Sequence, residues 1–95
     1  MISIVIPTYE QKGEGARYLT VLLQSIQHQK ITVPYEVVIS DNSNDNSIFY
    51  AVQYFPELPI RYQYNPIRGA SQNINKAIDL ASYDKVKIMC QDDVF

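Results

Sequence analysis

The sequence predicts an α/β protein with a Rossmann-like, doubly wound and mainly parallel sheet of about four strands. Four short apolar segments alternate along the 95 residues with segments whose apolar side chains recur at helical spacing. Such alternation is typical of βαβ units, whose right-handed crossovers make the strands parallel. Ligands of these sheets bind beyond the carboxyl ends of the strands, so function is expected in the residues that follow each strand.

Each predicted strand is a short run rich in β-branched and apolar residues. The first covers residues 2–6 and is expected to stop at Pro7, because proline cannot donate to a strand ladder. Its apolar character on both faces favours a strand that is covered on both sides. The other three predicted strands are residues 35–40, 60–64 and 85–90.

Three helices are predicted between the strands. The first covers residues 16–29, a short second one runs through Ile48 and Val52 to Phe55, and the third covers residues 70–81. In the long helices the apolar side chains fall on one face, as an amphipathic helix against a sheet requires. These apolar positions are Leu19, Leu22, Leu23 and Ile26 in the first helix, and Ile74, Ala77, Ile78 and Ala81 in the third.

Composition restricts the class of protein. The net charge is -2 and no Lys/Arg cluster is present, so nucleic acid is not expected as a partner. The single Cys90 excludes an internal disulfide and fits a reducing compartment. The first apolar run ends at Pro7, too short for a membrane span, and has no basic segment before it. We therefore expect one cytoplasmic domain over residues 1–95, with no membrane segment in this chain.

Several common catalytic and phosphate-binding motifs are missing from the sequence. There is no G-x-G-x-x-G after the first strand and no G-x-x-x-x-G-K-[ST], so the usual dinucleotide and P-loop cradles are not expected. One Cys and one His cannot form a Cys/His metal cluster, and Cys90 and His28 lie far apart in the sequence. A Ser/His/Asp hydrolase site is not indicated either.

Polar residues instead follow every predicted strand. If the second and fourth strands flank the first, Asp41 and Asp92 converge on one crevice with Tyr9 between them. Adjacent carboxylates such as Asp92 and Asp93 are either solvated turn residues or ligands of a hard divalent cation that also binds substrate phosphate. The strand-end residues are Pro7, Thr8, Tyr9 and Glu10, then Asp41, Asn42 and Ser43, then Asn65, Pro66 and Arg68, and finally Asp92 and Asp93.

Three of these residues have simpler structural alternatives. Asp41 can form an Asx turn and cap the next helix without contacting a ligand. Tyr9 can pack over the end of a strand. Arg68 can be a solvated surface charge, although a cation is disfavoured near a helix N-terminus, and this placement hints at an anionic ligand.

Four segments together resemble the successive motifs of family 2 glycosyltransferases with the GT-A fold. In order, they are SIVIPTYE, VVISDNSND, NPIRGASQNINKAI and IMCQDD, and they span nearly the whole chain. The resemblance implies a sugar transferase that binds a nucleotide diphosphate sugar, UDP- or dTDP-linked, with Mn²⁺ or Mg²⁺. The acceptor would be a glycan or a lipid-linked acceptor, bound by a region outside this chain.

The same resemblance implies a role for each strand-end residue. Tyr9 and the backbone around Pro7 and Thr8 would flank the nucleotide base, and Asp41 would hydrogen-bond it. Arg68 would approach the base or the phosphates. Asp92 would lie near the ribose and the metal, and Asp93 would be the direct metal ligand that bridges to the diphosphate.

The chain also departs from the family pattern. Ser40 precedes Asp41 where the family often has Asp-Asp, and Cys90 or Gln91 stands where a full Asp-x-Asp motif begins. In this family the general base comes from a later segment of the enzyme, so no catalytic residue is assigned within these 95 residues. Glu10 and Asp41 are expected to face the donor. The alternative to a donor-binding region is a non-catalytic nucleotide-binding or interaction module of the same fold.

The resemblance and the fold lead to three further expectations. The 95 residues correspond to the nucleotide-sugar-binding half of a transferase, apparently truncated. Through the missing region, the protein would be peripheral to the inner face of a membrane. The fourth strand would leave an apolar edge, so self-association of this chain is expected.

Overall fold

The computed structural model describes residues 1–10, 14–29 and 31–90. Strands and helices alternate along these residues, and the predicted α/β fold class is confirmed. The elements are β1 (Ile2–Thr8), α1 (Glu14–His28), β2 (Tyr35–Asp41), α2 (Ser47–Val52), β3 (Ile60–Tyr64), α3 (Ala70–Leu80) and β4 (Lys85–Ile88).

The four strands form one parallel sheet in the order β3, β2, β1, β4. The chain moves outward from β1 through β2 to β3 and then crosses back to place β4 on the other side of β1. The strand order therefore reverses between β1 and β4, and in doubly wound sheets ligands bind beyond the carboxyl ends of the strands at this point. The predicted flanking of the first strand by the second and fourth is confirmed.

The expected end of β1 at Pro7 is wrong, since the strand continues to Thr8. β2 pairs with β1 as far as Thr8 and Asp41, whereas β4 pairs with β1 only from Ile2 to Val5. The backbone N–H of Ile2 donates toward the β2 side, to the carbonyl of Pro34, so by alternation the nitrogen of Pro7 faces the β4 side. Pro7 thus lies two residues beyond Val5, the last β1 residue paired with β4 in the described ladder, so its missing N–H interrupts none of the described pairs.

The larger core lies between the sheet and the helices α1 and α2. Alternate residues of β1 and β2 point to this side because successive strand side chains face opposite ways. Each fully buried aliphatic side chain contributes about 1.5–3 kcal/mol relative to its exposed form. The fully or almost fully buried members are Ile4, Ile6, Val37 and Ile39 from the sheet, with Leu19, Leu22, Leu23, Ile26 and Ile48 from the helices.

The opposite face of the sheet is covered by α3 and has a smaller apolar core. Val5, Val38 and Ala77 are buried there, with Leu80 and Ala81 packed at the margin. The neighbouring positions of β1 and β2 on this face are polar and buried, namely Ser3, Glu36 and Ser40. The connection of α3 to the sheet therefore depends on hydrogen bonds as well as on apolar contact.

Glu36 holds the turn between α3 and β4 at the amino end of the sheet. Its Oε2 accepts hydrogen bonds of 2.6 Å from the Ser3 hydroxyl and from the backbone N–H of Ser82. The Arg61 guanidinium lies 3.4 Å from Oε1 and donates to the Leu80 carbonyl at 2.6 Å. Burial alone raises the pKa of Glu36, but the donors from Ser3, Ser82 and Arg61 outweigh burial and lower the pKa below its ordinary value.

The helices are short. The longest, α1, has 15 residues, whereas a membrane-spanning helix needs about 20 predominantly apolar ones. Among the residues that the structure describes, no helix is long and apolar enough to cross a membrane.

Candidate functional site

A cavity of about 520 Å³ opens at the carboxyl ends of β1 and β4, beside the start of α3. This is the place where the strand order reverses, and it is the expected ligand position in a doubly wound sheet. Its size is within the range of small-molecule sites. The lining residues are Pro7, Thr8, Tyr9, Asn42, Arg68, Gly69, Ala70, Asn73, Ile74 and Cys90.

Four of the predicted nucleotide-binding residues meet at this cavity. Pro7, Thr8 and Tyr9 form the wall that β1 contributes, and Arg68 enters from the loop before α3. Tyr9 is 42% exposed, so its ring is accessible for stacking against a base. Asp92 and Asp93 lie outside the described residues. The structure brings the first four positions together, and their roles in binding remain predictions.

Asp41 lies beneath the cavity wall and is fully buried. Its Oδ1 accepts hydrogen bonds from the Thr8 hydroxyl at 3.1 Å and from the backbone N–H and hydroxyl of Ser43 at 3.0 and 2.6 Å. The bond to the Ser43 N–H is the Asx turn that the sequence offered as an alternative. The Asp41 carboxylate therefore fixes the loop after β2, and its predicted hydrogen bond to a base remains a prediction.

Tyr62 completes the surroundings of Asp41. Its hydroxyl donates to Asp41 Oδ2 at 2.5 Å, from the neighbouring strand β3. Burial of the ring and the adjacent Asp41 carboxylate raise the pKa of Tyr62 far above its ordinary value. The phenol thus keeps its proton, and remains a donor to Asp41, throughout the neutral range.

Arg68 is held by the loop that follows β2. Its guanidinium donates to the Asn42 carbonyl and to Oδ1 of Asn44. In return, the Asn42 side chain donates to the carbonyls of Asn65 and Ile67 at 2.6 and 2.9 Å. These bonds tie the loop after β2 to the loop after β3, and they fix the position of Arg68 at the cavity.

Asn73 connects α3 to the strand ends from below the cavity. It is 3% exposed, and its Oδ1 accepts from the Ser40 hydroxyl at 2.8 Å and from Asn65 Nδ2 at 3.2 Å. Its Nδ2 donates to the Thr8 carbonyl at 3.3 Å. In the described part of the chain every buried side-chain nitrogen and oxygen has a hydrogen-bond partner. The floor of the site is therefore a fully satisfied polar network.

Glu10, expected near the donor, caps a helix instead. Its carboxylate accepts from the backbone N–H groups of Gly15 and Ala16, at 2.9 and 2.8 Å, in the first turn of α1. A carboxylate in this position satisfies two unpaired helix donors and matches the positive end of the helix dipole. The Glu10 N–H donates to the Ser43 hydroxyl at 2.8 Å, so the loops after β1 and β2 are joined.

The sequence interpretation missed several residues that build the site. Asn44 and Gly69 lie within the family-like motifs, but the sequence pattern assigns neither of them a role, although it places Asn42 and Asn65 at strand ends. A turn-forming residue after a strand is a usable signal for side chains that form hydrogen bonds between neighbouring loops. Asn73 and Tyr62 carried no comparable signal, because an Asn within a helix and a Tyr within a strand are ordinary solvent-facing residues until the fold buries them.

Comparison with known protein families matches residues 3–95 to Glycosyl transferase family 2. This chain belongs to that family. The match includes all four strand ends, and it agrees with the family that the sequence motifs resembled. Among curated proteins, none matches the chain.

Solved structures of glycosyltransferases have the same fold as this family 2 chain. S. aureus TarS (residues 1–349) is 26% identical to this chain and superposes on it with a TM-score of 0.78. The match covers 98% of this chain and 28% of the TarS chain. One TarS structure is a complex with UDP. The mannosyltransferase PcManGT from Pyrobaculum calidifontis, in complex with GDP-Man and Mn²⁺, is 24% identical with a TM-score of 0.78, over 99% and 28% of the two chains. The chain thus spans about 28% of the length of TarS 1–349 and of PcManGT, and 17% of the longer TarS chain.

Among the residues that the structure describes, the family 2 site offers an apolar cavity, the Arg68 cation and a set of backbone and amide groups. The predicted metal ligands Asp92 and Asp93 are not described, and residues 1–10, 14–29 and 31–90 contain no cluster of three or more His, Cys, Asp or Glu side chains that could hold a metal. Cys90 lines the cavity and is exposed, and the two aspartates follow it in the sequence by two and three positions.

Proposed function

We propose that this chain is the donor-binding region of a family 2 glycosyltransferase and that its cavity binds a nucleotide diphosphate sugar. The observation that carries the proposal is the position of the cavity, at the switch point of the sheet, with Arg68 at its rim. A guanidinium that is held by neutral groups keeps its full charge for a ligand, and a nucleoside diphosphate supplies the matching anion.

The donor is proposed to be linked to UDP or dTDP. The UDP complex of TarS supports a uridine nucleotide, since TarS shares this fold at 26% identity. Tyr9 and the backbone of Pro7 and Thr8 would face the base, because they form the β1 wall of the cavity and the Tyr9 ring is accessible. Arg68 would then lie toward the base or the phosphates.

A divalent cation, Mn²⁺ or Mg²⁺, is proposed to bind with the donor. Carboxylate oxygens are the ligands that such hard cations prefer, and Asp92 and Asp93 lie two and three positions after the cavity residue Cys90 in the sequence. The structure of PcManGT, which has the same fold and is a complex with GDP-Man and Mn²⁺, supports this proposal. When bound, the cation stabilises the negative charge of the departing diphosphate.

The whole protein would transfer the sugar to a hydroxyl group of a glycan or of a lipid-linked acceptor. No general base is assigned among residues 1–95, because Glu10 and Asp41 are occupied by α1 and by the loop after β2. The role of this chain in the reaction is to bind and orient the donor. We propose a cytoplasmic location for the protein, either free or at the inner face of a membrane.

Self-association of the chain is proposed to occur along β4. In the described sheet β4 is an edge strand, and its Val86 and Ile88 are 37% and 48% exposed. An edge strand with exposed apolar residues invites pairing with another chain. Sedimentation velocity over a range of concentrations would reveal this self-association, and Ile88→Lys should reduce it.

Calorimetric titration with UDP, in the presence and absence of Mn²⁺, tests the proposed function. We expect Mn²⁺ to strengthen binding, Asp93→Ala to remove the effect of the metal, and Arg68→Ala to weaken binding with or without metal. Arg17→Ala is the matched control, because Arg17 is an exposed arginine of α1 whose partner is Glu14. Absence of UDP binding would refute the donor site, and binding that ignores Mn²⁺ would refute the metal. Binding without any transfer by the full protein would favour the non-catalytic alternative.

A further inference from the structure

Arg68 is oriented by two neutral acceptors from one loop. One is the backbone carbonyl of Asn42, which no side-chain change at that residue removes, and the other is Oδ1 of Asn44. A guanidinium has five N–H donors, and these two contacts leave donors that can reach a ligand. The ion pairs of the described residues are those of Arg17 and Arg61, so no carboxylate there neutralises Arg68.

Asn44 differs from the other asparagines around the cavity in what its side chain does. Asn42, Asn65 and Asn73 are buried, and their side chains join the strand ends to one another. Asn44 is exposed, and its side-chain contact goes to Arg68. Its removal is therefore expected to free the guanidinium without opening the polar network below the cavity.

We propose that Asn44 is a positioning residue that holds the Arg68 guanidinium at the cavity for the nucleoside diphosphate. This inference rests on the proposed donor-binding function. An arginine side chain loses much conformational freedom when a ligand immobilises it. Because Asn44 immobilises Arg68 before the ligand arrives, binding avoids part of that loss.

The neutral character of Asn44 is part of the proposal. An aspartate at this position would keep the geometry but pair its charge with the guanidinium, and the attraction of Arg68 for an anion would fall. The amide holds the cation without neutralising it. Asn44→Asp should therefore weaken nucleotide binding even though it preserves or strengthens the contact to Arg68.

The test is UDP affinity, measured by calorimetry with Mn²⁺ present, together with the thermal unfolding midpoint of each variant. We expect Asn44→Ala to bind UDP about fivefold more weakly, which corresponds to roughly 1 kcal/mol. Asn46→Ala is the matched control, because Asn46 lies in the same loop, is exposed and makes no side-chain capping bond to α2. It should bind UDP as the original protein does.

A double-mutant cycle separates positioning from a general structural effect. If Asn44 acts through Arg68, Asn44→Ala should cause no further loss in an Arg68→Ala background. An equal loss in both backgrounds, or an Asn44→Ala variant with unchanged affinity, would overturn the inference while leaving UDP binding intact. Failure of the unaltered protein to bind UDP would instead overturn the proposed function, and the inference with it.

Discussion

The hydroxyl of Tyr62 donates a 2.5 Å hydrogen bond to Oδ2 of Asp41, where the carboxyl ends of β3 and β2 lie side by side. Oδ1 of the same carboxylate accepts three bonds from Thr8 and Ser43. Three neighbouring chain segments, the ends of β1, β2 and β3, therefore converge on one buried charge. The Tyr62 ring also meets Phe49 of α2 edge-on, with the ring centroids 5.3 Å apart.

Replacement of Tyr62 by Phe should destabilise the fold. The change removes the donor to Oδ2 and leaves a buried carboxylate oxygen without its partner, at a cost of about 1–3 kcal/mol. Urea unfolding followed by circular dichroism measures the loss. Tyr54→Phe is the control, because Tyr54 is 82% exposed and its hydroxyl should contribute almost nothing. Equal stability of the two variants would show that the Asp41–Tyr62 hydrogen bond makes no net contribution to the free energy of unfolding.

The stabilisation by Tyr62 should disappear at alkaline pH. The pKa of Tyr62 is raised in the folded protein, so the unfolded chain loses this proton first, at the ordinary tyrosine pKa of about 10. The contribution is complete below that pH and is lost progressively above it. The difference in unfolding free energy between the original protein and Tyr62→Phe should therefore shrink as the pH rises beyond about 10. A difference that stays constant from neutral to strongly alkaline pH would contradict the raised pKa.

The sequence predicted the order of the elements and the edge of the sheet at which the cavity opens, because both follow from alternation and from strand ends. Tyr9 and Arg68, which the sequence places after the first and third strands, both line the cavity. The sequence could not decide whether Asp41 faces a ligand or the protein, since this depends on the rotamer and on a donor, Tyr62, from another strand. The role of Asn73 was equally hidden, because a helix position shows its strand contacts only after α3 packs.

Replacement of Glu36 by Gln should reduce the slope with which the free energy of unfolding falls as the pH decreases. The pKa of Glu36 is lowered in the folded protein, so its contribution is complete above the ordinary glutamate pKa of about 4.3. It is lost as the pH falls below that value, because protonation breaks the pairing with Ser82 and Arg61. Denaturant unfolding from pH 7 to pH 3 measures the slope. Glu57→Gln, at an exposed position, should keep the original slope, and a Glu36→Gln slope equal to it would contradict the assignment.

Replacement of Glu10 by Ala should weaken the start of α1. Two backbone donors, from Gly15 and Ala16, lose their acceptor, and the loss of a helix cap typically costs about 1 kcal/mol. The stability of Glu10→Gln should lie between those of the original protein and Glu10→Ala, because an amide oxygen accepts one bond but brings no charge to the helix end. Hydrogen exchange of the first-turn amides of α1 tests this directly. Protection factors that are unchanged in Glu10→Ala would show that the cap is dispensable.

Replacement of Gly69 by Ala should disturb both stability and the cavity. Gly69 has φ of +124°, a backbone conformation that side chains rarely adopt, and it immediately precedes α3. The added Cβ itself would meet only Gln72, at 3.7 Å, so the cost comes from the backbone and should be about 1–3 kcal/mol. Relief of this strain would shift the neighbouring Arg68, so UDP affinity should fall together with the unfolding midpoint. Ser71→Ala, at an exposed site in the first turn of α3, is the control and should change neither. A Gly69→Ala variant of original stability would mean that the loop adopts another conformation at this residue.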